Sequence, residues 1–248
     1  MAITVLPCRD RGSPESTAMP CVSGSMTSIH EIRSLTGRVY LIEADQDVIA
    51  VDALTPSHRR RVLSSVENTL SRTGKKLELI LLTHSHIDHF SGALEMKRLF
   101  GAPVAIHELD VQWLRQGLNS PLYSRNLPEA ALKLLVSRMK AEPVEPDIIL
   151  KGDKGDLAEY GLEAKWLRTP GHTDGSISVV LPGDTAIVGD LVIGRFGFSH
   201  KPAYPFWVKD VGQLKDSIRR ILDLSPRYLL SGHGGPFKAE DVRRIFLE

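Results

Sequence analysis

Two cysteines in 248 residues leave little room for sulfur chemistry. Cys8 and Cys21 both fall near the N-terminus, and no second pair exists to complete a Cys-rich zinc site. They can pair with each other, but a chain of this size buries a sufficient core without a bridge, so two reduced thiols are expected. Long hydrophobic runs are absent as well. No stretch approaches the ~20 consecutive apolar residues of a membrane span. The segment 1–28 lacks the continuous apolar core of a secretory signal, because Arg9, Asp10 and Arg11 interrupt it early; a cytoplasmic protein is therefore expected. Neither sign of charge is in excess. With 31 Lys and Arg against 30 Asp and Glu, the net charge of +1 gives no global field to gather nucleic acid or an anionic membrane. The partner expected is a small-molecule substrate, with neither nucleic acid nor membrane.

What is present begins with a segment, 1–28, rich in Ser, Pro, Gly and Thr, which reads as an N-terminal extension. The regular pattern starts at Ile29, and 29–248 is expected to form one domain. Val39-Tyr40-Leu41-Ile42 and Val48-Ile49-Ala50-Val51 are short β-forming runs around the turn-like Asp45-Gln46-Asp47, which predicts a hairpin. A helix is expected over 57–71, with Ser57 as its cap and Gly74 soon after its end. A buried strand over 77–82 then delivers the chain into Thr83-His84. A helix over 88–100, closed by Gly101, and a strand over 103–106 come next. The stretch 107–141 reads as a helical insert, with helices at 111–118 and 129–140 joined by a loop containing Asn119, Pro121 and Pro128. Strands are expected at 147–150, 163–169, 177–181, 185–188 and 227–230, and helices over 208–224 and from 238 to the end. Two runs of strands, each followed by helices, predict an α+β fold of two sheets packed face to face with helices outside.

The chemistry concentrates in His84-Ser85-His86-Ile87-Asp88-His89, three histidines and an aspartate immediately after a buried strand. Imidazole nitrogen and carboxylate oxygen are the donors that Zn²⁺, Fe and Mn prefer. His84 and His86 lie two apart, so at an extended strand end both rings leave the same face. Asp88 and His89 fall where the chain turns into a helix and can point elsewhere, so one segment can serve two adjacent metals. Further ligands must come from outside it. His172 in Thr169-Pro170-Gly171-His172, Asp190 in Val188-Gly189-Asp190 and His233 in Ser231-Gly232-His233-Gly234 each follow an apolar strand. Loops at strand ends present functional groups, and flanking glycines allow close backbone approach. His30, His58, His107 and His200 have no such neighbours and are expected at the surface or in packing; His107 has a second reading because it ends a strand beside the insert.

The run His-x-His-x-Asp-His, followed by separate His, Asp and His at strand ends, resembles the metallo-β-lactamase-fold superfamily. The resemblance extends from about Ile29 to Phe237. It implies a four-layer αβ/βα sandwich of two mixed sheets with outer helices. It also implies two Zn²⁺ per chain, with Fe or Mn as alternatives: His84, His86 and His172 on metal 1, Asp88, His89 and His233 on metal 2, and Asp190 bridging. Asp52 resembles the family's aspartate that supports a ligand histidine. Where the family often has Asp-x-Gly, this chain has Asp52-Ala53-Leu54, a departure that bears on the turn.

The reaction implied is hydrolysis, in which a hydroxide held between two metals attacks the carbonyl of a small ester, lactone or thioester. Asp88 is the candidate for steering it and shuttling its proton, and Asp190 for bridging the pair. The likeness is to the glyoxalase II and lactonase branches rather than to true β-lactamases, which typically lack the bridging aspartate. Gly194-Arg195-Phe196 resembles part of a glyoxalase segment, yet the helical glutathione-holding domain is missing. The tyrosine that lactonases place after the bridging aspartate is replaced here by Leu191-Val192-Ile193. Tyr204, Phe206 and Trp207 line the pocket or simply pack. The insert, with Trp113, Leu114, Leu118, Leu122 and Tyr123, is a lid over a partly apolar acyl group or the contact of a homodimer. Two further functions stand beside hydrolysis: a mononuclear iron oxygenase resembling persulfide dioxygenases, and a metal-containing binding protein that turns nothing over.

Overall fold

Alternation of apolar side chains decides where each strand sits, and here it buries both faces of most strands. The computed structural model describes residues 4–7, 27–34, 37–54 and 58–248. Its first half comprises β1 (Thr4–Pro7), β2 (Ser28–Arg33), β3 (Arg38–Glu43), β4 (Val48–Val51), α1 (Arg59–Thr73), β5 (Leu77–Leu81), α2 (Ile87–Phe90), α3 (Ala93–Phe100) and β6 (Val104–His107). The insert carries α4 (Val111–Gln116) and α5 (Leu127–Val136). Then follow β7 (Ile148–Leu150), β8 (Lys154–Asp156), β9 (Lys165–Arg168), β10 (Ile177–Val180), β11 (Thr185–Ile187), β12 (Ile193–Gly194) and β13 (Pro202–Ala203). The chain ends with α6 (Val211–Leu222), β14 (Tyr228–Leu230), β15 (Phe237–Lys238) and α7 (Ala239–Phe246).

Seven strands form one sheet in the order β1-β2-β3-β4-β5-β6-β7, and six form another in the order β15-β14-β11-β10-β9-β8. The expected hairpin is β3–β4, antiparallel with Tyr40 opposite Val51. From β4 to β7 the first sheet is parallel. The second is antiparallel except for β11 beside β14.

Each strand's alternation feeds two different apolar seams. Val39, Leu41, Ala50, Ile80 and Val104 face Val62, Val66, Phe90, Met96 and Leu114 of the helices. Tyr40, Ile42, Ile49, Val51, Leu79 and Leu81 face Trp166, Ile177, Val179, Ile187 and Leu230 of the other sheet. Ala186, Val188 and Leu229 face Leu214, Ile218, Ile221, Val242 and Phe246 of α6 and α7. Three seams separate four layers, which is the α+β sandwich of two mixed sheets with outer helices. Each fully buried aliphatic side chain contributes roughly 1.5–3 kcal/mol to it. Among the described residues no helix is long and apolar enough to cross a membrane.

The structure departs from the sequence-based expectations at several points. Within the segment read as an extension, Thr4–Pro7 forms a strand paired in parallel with β2; Cys8, Cys21 and the capping Ser57 lie outside the described residues. The strands β2, β8, β12, β13 and β15 were not expected. Those in the second half are two or three residues long and are held by pairing rather than by an apolar pattern. Pro128 is not in the loop: it occupies the first turn of α5, where a missing N–H costs nothing, and Asn126 caps that helix by accepting from the Glu129 N–H at 2.9 Å. Leu114, read as part of a lid or a dimer contact, is fully buried in the core.

The expected helix over 88–100 is broken between α2 and α3. At the break the Gly92 N–H donates to the Leu54 carbonyl at 2.9 Å, and the Ser91 hydroxyl donates to the same oxygen at 3.1 Å. A Cβ on Gly92 would overlap the Ala53 carbonyl. This docking fixes Asp52-Ala53-Leu54, where Leu54 takes the left-handed conformation (φ 56°) that a glycine would take more easily. The departure from Asp-x-Gly thus leaves the turn in place, with the leucine side chain buried in the core. Gly92→Ala is expected to cost about 1–3 kcal/mol through overpacking. Gly101→Ala, at φ 71° with open space around it, is expected to cost about 1–2 kcal/mol through backbone strain alone. Urea unfolding measures both, and only Gly92→Ala should also disturb the Asp52 turn.

Candidate metal centre

Strand direction gathers the candidate residues at one edge. In the first sheet β4 and β5 are parallel neighbours, so Asp52 and Thr83 emerge side by side. In the second, β9, β11 and β14 all run the same way, so His172, Asp190 and His233 leave the same edge. The sheets are joined there by the Ile177 N–H, which donates to the Thr83 carbonyl at 2.9 Å. Gly232 permits the close approach: a Cβ there would stand 2.5 Å from both Asp190 Oδ1 and His89 Cε1.

All seven sequence-predicted residues come together. His86 Nδ1 lies 3.1 Å from His84 Nε2 and 3.0 Å from His172 Nε2. His233 Nε2 lies 3.3 Å from His89 Nε2 and 3.2 Å from Asp88 Oδ2. Asp190 faces both groups, with Oδ1 3.5 Å from His89 Nε2 and Oδ2 3.5 Å from His233 and 3.8 Å from His172. Three donor sets result: His84, His86 and His172; His84, His89 and Asp190; Asp88, His89 and His233, with ligand atoms within 4.8 Å of one another in each.

Asp52 orders the protons around this cluster. Its Oδ1 accepts the Thr83 N–H at 2.8 Å, and the Thr83 hydroxyl donates to the same carboxylate at 2.9 Å. With its proton so engaged, Thr83 Oγ1 accepts from His84 Nδ1 at 3.0 Å. Asp52 Oδ2 accepts directly from His89 Nδ1 at 2.8 Å. Both rings therefore carry a proton on Nδ1 and turn Nε2 into the cluster, the orientation a metal-binding histidine needs.

The electrostatics match a cation. Burial and the neighbouring imidazoles hold His84 well below the usual histidine range. Burial with His172 alongside takes His86 to about 3, and burial takes His172 to about 4. Burial pushes the Asp88 carboxyl up, but His89 and His233 outweigh it and leave it at about 2. Against the same burial, His233 and His89 hold Asp190 far below the carboxylate range. Burial pushes His89 and His233 down, yet the facing carboxylates of Asp190 and Asp88, with Asp52 leading at His89, hold both up. Neutral imidazoles and charged carboxylates are the forms that bind metals; His84, His86 and His172 already favour that form, and the carboxylates that favour a proton on His89 and His233 favour a metal cation in its place. Asp190 Oδ1 is buried without a hydrogen-bond partner among the described residues, a cost that an adjacent cation removes. The residues present fit metal ions.

The other histidines stand apart from these donor sets. His107 is buried, donates from Nε2 to the Gly152 carbonyl at 2.8 Å and accepts the Leu109 N–H at 3.3 Å, so it serves packing. His30 pairs with Glu43 at 2.8 Å. Of the later aromatics, Tyr204 packs on Phe246 with centroids 4.6 Å apart, whereas Trp207 stands perpendicular to His86 with centroids 6.2 Å apart.

Sequence reasoning missed the supports. The Tyr40 hydroxyl donates to the Ser231 carbonyl at 2.7 Å, and the Arg38 guanidinium, paired with Glu31, donates to the Gly234 carbonyl beside His233. The insert grips the first loop: Asn119 Oδ1 accepts the Ile87 N–H at 2.8 Å, and the Ser120 N–H donates to the Ser85 carbonyl at 2.7 Å. Asp110 accepts the Ser85 N–H at 2.8 Å. An aspartate just before a helix ordinarily signals a cap, but Asp110 makes no side-chain cap bond to α4. Asp52→Asn puts an NH₂, which accepts nothing, in place of one carboxylate oxygen. Chelator competition is expected to show metal binding weakened about 10–100-fold, as for other outer-shell partners; unchanged affinity would contradict the orienting role.

Comparisons with known proteins point to metallo-hydrolases. A probable metallo-hydrolase of Bacillus subtilis strain 168, YflN, is 26% identical over 243 residues, covering 89% of each chain. A probable metallo-hydrolase of Methanocaldococcus jannaschii, MJ0888, is 31% identical over 189 residues, covering 72% of this chain and 81% of that protein. Among solved structures, the BLEG-1 B3 metallo-beta-lactamase superposes with a TM-score of 0.62 at 22% identity, covering 85% of this chain and 93% of that one; at that identity the likeness is one of fold. Residues 34–233 match the family described as the metallo-beta-lactamase superfamily, and the chain belongs to that superfamily.

Proposed function

We propose that the chain is a dinuclear metal-dependent hydrolase acting on the carbonyl of a small ester, lactone or thioester. The observation that carries this reading is the convergence of His84, His86, Asp88, His89, His172, Asp190 and His233 at one edge of the sandwich. In it, His84, His86 and His172 would hold one zinc ion and Asp88, His89 and His233 a second, with Asp190 facing both sets of donors. Two such ions, when bound, supply a nucleophile from water at neutral pH and a Lewis acid for the carbonyl oxygen.

The chain's own residues do the rest. Asp88 is the most exposed of the seven, at 35%, and its low pKa keeps it charged at neutral pH, so it can accept a hydrogen bond from an incoming water and orient it. Asp190, buried and charged, holds the centre at fixed geometry. Trp207, whose backbone sits at φ 55°, sets its indole perpendicular to the His86 ring, with centroids 6.2 Å apart, and offers an apolar wall beside the site. That wall favours substrates with an apolar group next to the scissile bond. A mononuclear centre would leave Asp88, His89 and His233 converging to no purpose.

Elemental analysis of the purified chain is expected to give two metal equivalents. His84→Ala and Asp190→Ala are each expected to lower turnover of chromogenic esters, lactones or thioesters by more than about 100-fold, beyond the usual effect of an outer-shell partner. A chain that binds no metal, or variants with intact activity, would sink the proposal. One iron per chain with oxygen consumption would replace it with an oxygenase.

A further inference from the structure

The two halves of the centre are supported differently. On the metal-2 side, His89 is oriented by a side chain, Asp52, and the His233 loop is tied by Ser231, whose Oγ accepts the His233 N–H at 3.1 Å. On the metal-1 side only His84 has such a partner. The outer ring nitrogens of His86 (Nε2) and His172 (Nδ1) are buried and find no hydrogen-bond partner among the described residues. Nothing beyond these rings fixes their orientation by hydrogen bonding, so their placement rests on the backbones that carry them. Those backbones belong to different sheets: His86 follows β5 and His172 follows β9.

One side chain spans the gap. Asp110, 1% exposed, comes from the helical insert and enters between the two loops. Its Oδ2 accepts the Ser85 N–H at 2.8 Å and the Thr173 hydroxyl at 3.0 Å, and its Oδ1 accepts the Gly175 N–H at 3.1 Å. Ser85 lies between His84 and His86, and Thr173 is next to His172 in the chain. A Cβ on Gly175 would stand 2.7 Å from the Asp110 carboxyl, so the loop is shaped to admit it. Three donors converge on one buried carboxylate, each from a residue adjacent to the proposed metal-1 ligands or two places beyond Thr173. None comes from the metal-2 segments around His89 and His233.

We infer that Asp110 is a positioning residue for one half of the centre, setting the separation of the His84–His86 loop from the His172 loop and thereby the affinity of metal 1 alone. This rests on the two-metal reading above. It gives the insert a role apart from lid or dimer contact: its first turn is a cross-sheet clamp on the ligands.

Asp110→Asn keeps the shape but offers an NH₂ to a donor where a carboxylate oxygen accepted. Because Asp110 makes no cap bond, α4 does not depend on it. Thr173→Val removes the hydroxyl that donates to Asp110, together with its 2.8 Å contact to the Ser176 hydroxyl inside the same loop, and leaves the carboxylate in place, so it carries the test should Asp110→Asn fail to fold. Each full-length variant is loaded with Zn²⁺ and titrated against a chromophoric chelator, and the Co²⁺-substituted protein is examined by visible absorption. In Asp110→Asn one zinc equivalent should keep wild-type affinity while the other weakens about 10–100-fold, with part of the Co²⁺ spectrum altered. Thr173→Val should show the same selectivity at up to about tenfold. Asp52→Asn, which touches His84 through Thr83 and His89 directly, should weaken both equivalents. Two equivalents of unchanged affinity in Thr173→Val and Asp110→Asn, or equal weakening of both, overturns the inference while the proposed function stands. A wild-type chain that binds no Zn²⁺ or Co²⁺ overturns both.

Discussion

The carboxylate of Asp52, buried at the end of β4, is the interaction on which the centre's order depends. It accepts from the backbone and hydroxyl of Thr83 and from the His89 ring. One charged group thereby fixes the tautomers of two histidines in the same six-residue run, His89 directly and His84 through Thr83. Such an arrangement needs a rigid frame, because hydrogen bonds weaken steeply as donor and acceptor fall out of line. The frame is the parallel pairing of β4 with β5, backed by apolar seams on both faces of the sheet. The turn that carries Asp52 is itself pinned by Gly92 and Ser91, at the break between α2 and α3.

The second sheet supplies the complement. Its strands β9, β11 and β14 deliver His172, Asp190 and His233 to the edge where the first sheet presents His84 to His89. Concentrating this many charged and titratable groups out of water is costly. The cluster tolerates it because each carboxylate faces imidazoles and each raised imidazole faces carboxylates, an arrangement that equally favours bound cations. Asp52 and Asp110 are thus parallel devices at different distances: one orders ring protons, the other holds loop backbones.

Much of this was legible in the sequence for physical reasons. The unbroken apolar runs Val39 to Ile42 and Val48 to Val51 suit strands buried on both faces, and metal-type donors two residues apart at a strand end leave one face. Those rules located all seven candidate residues, and the family resemblance grouped them. The supports were illegible because their partners are distant in the chain. Asp110 reaches Thr173 across 63 positions and Arg38 reaches Gly234 across 196. Short strands such as Lys154–Asp156 carry no alternation to read, and the break at Gly92 is held by the Leu54 carbonyl, which only the folded chain brings near. Asp110 in particular was disguised by position, since an aspartate ahead of a helix has a local explanation that the structure does not use.

Anomalous diffraction at the zinc edge, from crystals of the zinc-loaded chain, tests the central claim most directly. The account predicts two peaks about 3.5–4 Å apart, one among His84, His86 and His172 and the other among Asp88, His89 and His233, with Asp190 between them. A single peak, or peaks away from these residues, would contradict it.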